Sequence, residues 1–293
     1  MFATTETCAD GSYAFAGLTP GAYVVGLHAD RRAASKNYAP SVGRALLNGT
    51  LRLTTIGDSF PRESASRLFP AVAAELFERA GAEVTNRNIA RSGSLAEEWL
   101  PGTNAFASLE GVLDETDVLV ISLGGNDVLG GLFRPFRDLD DDNSYREYAY
   151  TGTEALSDAT LLIERALSNV RTIVRAVRER RPGLSIVWVL YPNLLRGKPW
   201  RDAVSVGANL LIERLDEVLK DARRSAARDD LLLLDVYELL NAQDDVDALY
   251  YDTLHLNDEG HRLAGEELFR TLGGVVVSAE DSRPEYSVGL VRR

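Results

Sequence analysis

The feature that most constrains this chain is a series of short runs of strand-forming residues separated by longer segments of helical periodicity. The runs occupy residues 51–57, 83–89, 117–122, 184–192 and 230–236, and their lengths suit buried strands. The helical segments occupy residues 70–80, 157–181, 202–226 and 258–272. Strands that alternate with helices form a parallel sheet covered on both faces. We therefore predict an α/β fold with a five-stranded parallel sheet between two helical layers.

Composition limits the possible partners of such a domain. The 293 residues are 45% hydrophobic, enough for one large core, and the net charge of -12 argues against a nucleic-acid partner. A single cysteine, Cys8, permits neither an internal disulfide nor a cysteine-built metal site. No apolar run approaches the length of a membrane span. We predict a globular protein that needs no metal or other cofactor.

The N-terminal region has a different pattern. Residues 9–28 contain two short runs of strand-forming residues joined by a Gly/Pro-rich turn, which predicts a β-hairpin. The stretch resembles the last two strands of Cna-B-like and carboxypeptidase-regulatory-like β-modules, at Asp10, Gly11, Tyr13, Phe15, Leu18, Pro20, Gly21, Tyr23 and Val25. We predict a truncated β-module at 1–30, a linker at 31–48, the main domain at 49–275 and a C-terminal tail at 276–293.

Localisation follows from conflicting indications. The first residues have neither the basic nor the apolar region of a secretory signal. Modules of the type that the N-terminal stretch resembles usually belong to secreted or cell-surface proteins. Localisation therefore stays open, with a secreted or surface parent suggested by the resemblance.

Polar residues gather where the predicted strands end. The sequence GDSF (57–60) follows the first run, NIARSG (88–93) the second and GGND (124–127) the third, and YDTLHLNDEGH (251–261) follows the fifth. In open parallel sheets, ligands bind beyond the carboxyl ends of the strands. We therefore expect these segments to form one site.

The residue types in these segments are those that acyl transfer requires. A serine hydroxyl becomes a nucleophile beside a histidine base, and an aspartate on the other ring nitrogen fixes the tautomer. Ser59, His255 and Asp252 provide this set, with Asp252 one turn before His255. The oxyanion of the intermediate needs hydrogen-bond donors, which the Ser59 and Gly93 amides and the Asn126 side chain can supply.

The region from about 51 to 272 resembles the SGNH hydrolase superfamily of GDSL-type lipases and esterases. The resemblance lies in four ordered blocks: Gly57-Asp58-Ser59; Gly93 after Asn88; Gly124-Gly125-Asn126-Asp127; and Asp252-x-x-His255. It implies a flavodoxin-like α/β/α sandwich, Ser59 as nucleophile, His255 as base and Asp252 as its partner. It also implies Ser59, Gly93 and Asn126 as oxyanion donors, and hydrolysis of carboxylic esters through an acyl-enzyme. Carbohydrate acetylesterase and thioesterase activities occur in the same superfamily and stay open.

Each residue also has a structural interpretation. Ser59 alone is equally typical of a helix N-cap, and Asn126 with Asp127 is typical of a turn. Of the other histidines, His28 falls in the hairpin, and His261 is predicted to lie on a solvated helix face. A noncatalytic adhesion or carbohydrate-binding protein is the alternative of another class, although a binder has no need of all three triad residues.

The substrate is a small-molecule, glycan or lipid ester under this interpretation. The long segment after Asn126 and the residues beyond the fourth strand are predicted to line its pocket, with Phe133, Phe136, Tyr148 and Trp200 as the candidate contacts. The acidic run at 138–143 lacks the glycine and distal glutamate of a calcium loop and is interpreted as a solvated loop. No sequence signature predicts the oligomeric state.

Overall fold

The computed structural model describes residues 50–127, 152–191, 220, 223–224, 231–252, 255–273, 275–277 and 285–287. The predicted hairpin at 1–30 and the linker at 31–48 lie outside these residues, as does nearly all of the helix predicted at 202–226. These parts of the interpretation stay predictions.

The central element is a parallel sheet of five strands, as predicted. Its strands are β1 (Thr50–Gly57), β2 (Glu83–Asn88), β3 (Val118–Ser122), β4 (Ser185–Leu190) and β5 (Leu232–Asp235). Their order is β2-β1-β3-β4-β5, and every neighbouring pair is parallel. The chain therefore winds to opposite sides from β1, and the β1/β3 boundary is the switch point at which such sheets bind ligands.

Five α-helices with defined ends surround this sheet in the described part of the chain, besides the short 3-10 helices Ala96–Trp99, Leu113–Glu115 and Asp247–Leu249. They are α1 (Phe69–Arg79), α2 (Asn104–Glu110), α3 (Gly152–Arg180), α4 (Val236–Asn241) and α5 (Asp258–Thr271). The sequence predicted α1, α3 and α5 within a few residues but missed α2 and α4. These two helices have only seven and six residues, too few to show a helical period of apolar side chains. Their starts are marked instead by side-chain caps from Thr103 and Asp235.

Two separate hydrophobic cores lie on the two faces of the sheet. One contains Phe69 and Phe77 of α1 and Phe269 of α5, with Phe77 and Phe269 in edge-to-face contact at 4.7 Å. The other contains Trp99 and the α3 side chains of Val170, Ile173, Val174 and Val177. The fold is therefore the predicted three-layer α/β/α sandwich.

The contact between α1 and α5 depends on a glycine. A Cβ on Gly265 would lie 2.5 Å from Cβ of Val72 and 2.8 Å from the carbonyl oxygen of Phe69. The backbone of α5 at Gly265 therefore packs directly against the Val72 side chain of α1. A side chain at position 265 would force the two helices apart.

We expect Gly265→Ala to lower the free energy of unfolding by about 1–3 kcal/mol, the usual cost of overpacking a core. Urea unfolding at pH 7 measures this change. Gly183→Ala is the matched control, because a Cβ at Gly183 meets nothing within 4 Å. An equal effect of the two substitutions would contradict the packing argument.

A second, small sheet follows α5. The strands β6 (Val275–Val277) and β7 (Glu285–Ser287) form an antiparallel pair that begins at the last residue of the predicted main domain and otherwise lies in the segment predicted as a tail. Residues 275–277 are all valine, which suits a strand. Among the helices of the described residues, none combines the length and hydrophobicity needed to cross a membrane.

Candidate active site

The predicted site residues come together at the carboxyl edge of the sheet. Ser59 follows β1, Asn126 lies in a helical turn that starts just after β3, and Asp252 and His255 lie in the loop before α5. Ser59 and Asn126 thus lie just beyond the carboxyl ends of β1 and β3, the two strands that flank the switch point. The site is built where the topology opens a crevice.

A chain of hydrogen bonds joins Ser59, His255 and Asp252. His255 Nε2 lies 3.0 Å from Ser59 Oγ, and His255 Nδ1 lies 2.8 Å from Asp252 Oδ2. The backbone N–H of His255 also donates to Asp252 Oδ1 at 2.7 Å. The carboxylate therefore holds both the ring and the backbone of His255, which fixes the imidazole orientation toward the serine hydroxyl.

The loop that carries His255 is fixed at both ends. Tyr251 N–H donates to the carbonyl oxygen of His255 at 2.8 Å, which closes the turn around Asp252. On the other side, the Asn257 side chain accepts from the N–H groups of Glu259 and Gly260 and so caps α5. The histidine thus lies between a closed turn and a capped helix.

The backbone around Ser59 begins a helical turn. The Ser59 carbonyl oxygen accepts from the N–H groups of Arg62 and Glu63, both at 2.9 Å. The Ser59 hydroxyl contacts His255 instead of a backbone amide, and α1 begins only at Phe69. The N-cap interpretation of Ser59 is therefore wrong for α1. The Glu63 carboxylate from the same turn lies 4.0 Å from His255 Nε2.

Gly57 allows this turn to begin close to β3. Its φ is 154°, and a Cβ at this position would collide with the carbonyl oxygen of Ser122. Asp58 N–H donates to that same oxygen at 3.1 Å. The glycine of the GDS block is thus required where β1 leaves the sheet beside β3.

Hydrogen bonds through Ser94 connect the Gly93 loop and Asn126 to the end of β1 at Gly57. Ser94 Oγ donates to the carbonyl oxygen of Gly57 at 3.0 Å, and Asn126 Nδ2 donates to the carbonyl oxygen of Ser94 at 3.1 Å. One of the two Nδ2 hydrogens of Asn126 is thereby used, and the other has no acceptor among the described residues and is a candidate ligand donor. Within the described residues, the N–H groups of Ser59 and Gly93 have no hydrogen-bond acceptor. These donors suit an oxyanion.

Sequence reasoning missed several supporting residues. The Asp127 carboxylate accepts from Ala96 N–H at 2.9 Å and so fixes the loop beyond Gly93. Tyr191, directly after β4, donates from its hydroxyl to Asp58 Oδ2 at 2.5 Å. Asp127 and Asp58 belong to the motif blocks, so their positions were indicated, but no sequence signal pairs Tyr191 with Asp58.

The candidate pocket residues Phe133, Phe136, Tyr148 and Trp200 lie outside the described residues and stay predictions. Among the described residues, no cluster of three or more His, Cys, Asp or Glu side chains is suited to a metal ion.

His261 corrects the sequence interpretation. It is fully buried rather than solvated, and its ring stacks on Phe69 at 6.2 Å. Phe69 N–H donates to its Nδ1 at 3.3 Å, so the proton lies on Nε2, which donates to the Glu63 carbonyl oxygen at 3.3 Å. Burial lowers the pKa of His261 to about 4. His261 is therefore a neutral core residue that links α5 to the turn after Ser59.

This burial makes stability depend on pH. The unfolded pKa of His261 is 6.5 and the folded pKa is about 4, so its contribution is fully present above pH 6.5 and is lost as the pH falls toward 4. We expect the free energy of unfolding to fall by roughly 3 kcal/mol from this group over that range. Urea unfolding of His261→Gln should show a flatter dependence on pH than the wild type.

Asp58 supplies a control of opposite sign. Its carboxyl is buried, which raises its pKa from 3.8 to about 6, so its contribution is present below pH 3.8 and is lost as the pH rises through 6. Asp58→Asn should therefore make the loss of stability on acidification steeper. If the free energy of unfolding of both variants depended on pH as that of the wild type does, the shifted pKa values of His261 and Asp58 would both be contradicted.

Comparisons with known proteins bear on the family and the fold. The model described as the GDSL-like Lipase/Acylhydrolase family matches residues 55–263, which is more than half of the chain. The lipase Lip_vut3 from a goat rumen metagenome is 16% identical, with 75% of this chain and 97% of that chain covered and a TM-score of 0.54. The extracellular lipase of Streptomyces rimosus is 15% identical, with coverage of 76% and 98% and a TM-score of 0.54.

A third solved structure, phospholipase A1 from Streptomyces albidoflavus, is 14% identical, with coverage of 75% and 97% and a TM-score of 0.53. At such identities the solved structures establish the shared fold alone. No curated protein matches the sequence. The family assignment therefore depends on the match of the family model over residues 55–263. On that match, this chain belongs to the GDSL-like lipase/acylhydrolase family of hydrolases.

Proposed function

We propose that the protein hydrolyses carboxylic esters through an acyl-enzyme intermediate on Ser59. The observation that carries this proposal is the unbroken chain of hydrogen bonds from Asp252 through His255 to Ser59. Membership of a lipase/acylhydrolase family agrees with it. The family establishes a hydrolase, and the bond cleaved and the roles of these residues are our proposal.

In the first half-reaction, Ser59 Oγ attacks the ester carbonyl carbon while His255 Nε2 takes the hydroxyl proton. Asp252, on Nδ1, stabilises the imidazolium that forms. The carbonyl oxygen becomes an oxyanion, for which the amides of Ser59 and Gly93 and the Asn126 side chain are the donors. Collapse of the intermediate breaks the bond to the alcohol oxygen, which receives the proton from His255.

In the second half-reaction, water takes the place of the alcohol. His255 removes a proton from the water as its oxygen attacks the acyl carbon, and the same donors stabilise the second oxyanion. Collapse releases the carboxylic acid and returns the proton to Ser59 Oγ. The step thus consumes one water for each ester bond, and the side chains return to their starting protonation states.

A noncatalytic binding protein is the competing interpretation, and the geometry disfavours it. Binding alone does not require a histidine within hydrogen-bond distance of a serine hydroxyl and a carboxylate on its other nitrogen. Ser59 is also partly exposed, as a nucleophile must be, whereas the hydroxyl of a structural serine at this point would bond to the backbone.

Covalent labelling with a fluorophosphonate tests the proposal directly, because the probe reacts only with activated serines. Mass spectrometry of the labelled, digested protein should place the adduct on the peptide that contains Ser59, with none on His255→Ala. A parallel series of p-nitrophenyl esters, from acetyl to long acyl chains, measures turnover, and a matched thioester tests the other acyl class.

An adduct at Ser59 together with ester turnover would support the esterase, and the chain-length optimum would describe the acyl pocket. Turnover of the thioester alone would make the protein a thioesterase that uses the same residues. Absence of both labelling and turnover in the folded wild type would favour the binding protein.

A further inference from the structure

Tyr191 connects three strands beneath the candidate nucleophile. It is the first residue after β4, and its hydroxyl donates to Asp58 Oδ2 at 2.5 Å while lying 3.1 Å from Ser122 Oγ. Asp58 follows β1, and Ser122 ends β3. A single hydroxyl therefore links β1, β3 and β4 at the edge of the sheet where the candidate site lies.

The carboxylate that Tyr191 contacts sets the backbone on both sides of Ser59. Asp58 is only 2% exposed, and its Oδ1 accepts from Phe60 N–H at 3.0 Å. This bond from residue 58 to residue 60 closes a turn around the serine. Because the carboxylate is buried, a lost hydrogen bond is not replaced by water and the turn loses its anchor.

The ring of Tyr191 also contacts the other half of the oxyanion site. A Cβ on Gly125 would lie 2.6 Å from Cε1 of Tyr191, so the ring packs directly against the backbone that precedes Asn126. The centroid of the Phe60 ring lies 5.5 Å from that of the Tyr191 ring. Tyr191 thus contacts both the turn that carries Ser59, through Asp58 and Phe60, and the turn that carries Asn126, through Gly125.

We propose that Tyr191 is a positioning residue for the reaction, which holds the Asp58 carboxylate and the Gly125 backbone so that the Ser59 and Asn126 donors stay aligned on the oxyanion. It acts through Asp58 and not on the reacting atoms, and the proposal rests on the esterase function proposed above. Donors must be placed to within a fraction of an ångström to stabilise the transition state. A lost anchor should therefore lower kcat more than it raises KM.

The electrostatics of Asp58 provide a specific signature. Burial raises the pKa of this carboxyl to about 6, the Tyr191 hydroxyl and the Phe60 N–H oppose the rise, and the Asp127 carboxylate adds to it. Removal of the hydroxyl should raise the pKa of Asp58 further. The carboxyl then becomes protonated at a higher pH, and a neutral carboxyl accepts the remaining hydrogen bond from Phe60 N–H less strongly than a carboxylate does.

The experiment compares the wild type with Tyr191→Phe, Asp58→Asn and the double variant, by steady-state kinetics on a neutral p-nitrophenyl ester from pH 5 to 9. We expect Tyr191→Phe to lower kcat about tenfold at pH 8, the equivalent of one lost hydrogen bond, with little change in KM. In this variant, the loss of kcat on the acid side of the pH profile should occur at a higher pH than in the wild type. In the Asp58→Asn background, Tyr191→Phe should change neither kcat nor the acid limb.

Tyr237→Phe is the control for the loss of a tyrosine hydroxyl, because Tyr237 is buried on α4, which follows β5, the edge strand that is separated from β1 by β3 and β4. It should leave kcat and the pH profile as in the wild type. Wild-type kinetics in Tyr191→Phe would overturn the proposal. So would an equal loss of kcat in the Asp58→Asn background, since Tyr191 would then act by packing alone.

Urea unfolding separates this proposal from the esterase function. A folded pKa raised further for Asp58 means more stability lost as the pH rises through it, so Tyr191→Phe should be more destabilising at pH 8 than at pH 5. This difference should vanish with Asp58→Asn. If it holds while the wild type cleaves no ester, the esterase function fails and the anchoring of Asp58 by Tyr191 stands.

Discussion

Ser59→Ala is expected to lower kcat for ester hydrolysis on the order of 10⁵- to 10⁶-fold, because the reaction then has no nucleophile. His255→Ala should cost about as much. The double variant should be no worse than either single variant, since the two groups work in the same step. Purified variants assayed on p-nitrophenyl acetate at pH 8, with circular dichroism to check the fold, measure these losses.

Asp252→Asn should be less severe, at about 10⁴-fold, because the base survives but its tautomer is no longer fixed. Ser168→Ala is the matched serine control, since Ser168 is exposed on α3, and it should retain full activity. A folded Ser59→Ala variant with activity within tenfold of the wild type would refute the assignment of the nucleophile.

Asn126→Ala is expected to lower kcat about 10²- to 10³-fold, the usual cost of one lost oxyanion donor. KM should change little, because the donor acts on charge that develops only in the transition state. Asn126 also donates to the Ser94 carbonyl oxygen, so the experiment must separate loss of the donor from loss of this link.

Affinity for a boronic acid that forms a tetrahedral adduct separates the two effects. If Asn126 binds the oxyanion, the inhibition constant should rise in proportion to the loss of kcat/KM, while binding of the carboxylic acid product stays constant. Asn86→Ala is the matched control, because Asn86 is exposed on β2. Equal weakening of boronate and product binding would indicate a displaced loop instead of a lost donor.

The sequence predicted the sheet well because buried parallel strands leave a strong local signal. The strands β3 and β4 are buried along their whole length, and so their sequences are continuous apolar runs. Short elements such as α4 left no such signal, because six residues do not establish a helical period.

His261 was predicted wrongly although a signal was present. It lies three, four and seven residues before Ala264, Gly265 and Leu268, all buried, and so it falls on the apolar face of α5. The residue type favours a solvated position, whereas the spacing along α5 favours burial. Only the neighbours that accept and donate its hydrogen bonds make a neutral histidine stable there.

The sequence by itself determined which side chains stand at the ends of the strands, and therefore the reaction class that we propose. Ser59 and His255 are 196 residues apart, and only strand order brings them to one crevice. The tertiary structure alone decided which groups support them. Tyr191 donates a hydrogen bond to Asp58, and Gly57 packs against the Ser122 carbonyl oxygen. The reason is that these contacts join side chains or backbone across different strands, whereas local sequence patterns record only which face of its own strand or helix each residue occupies.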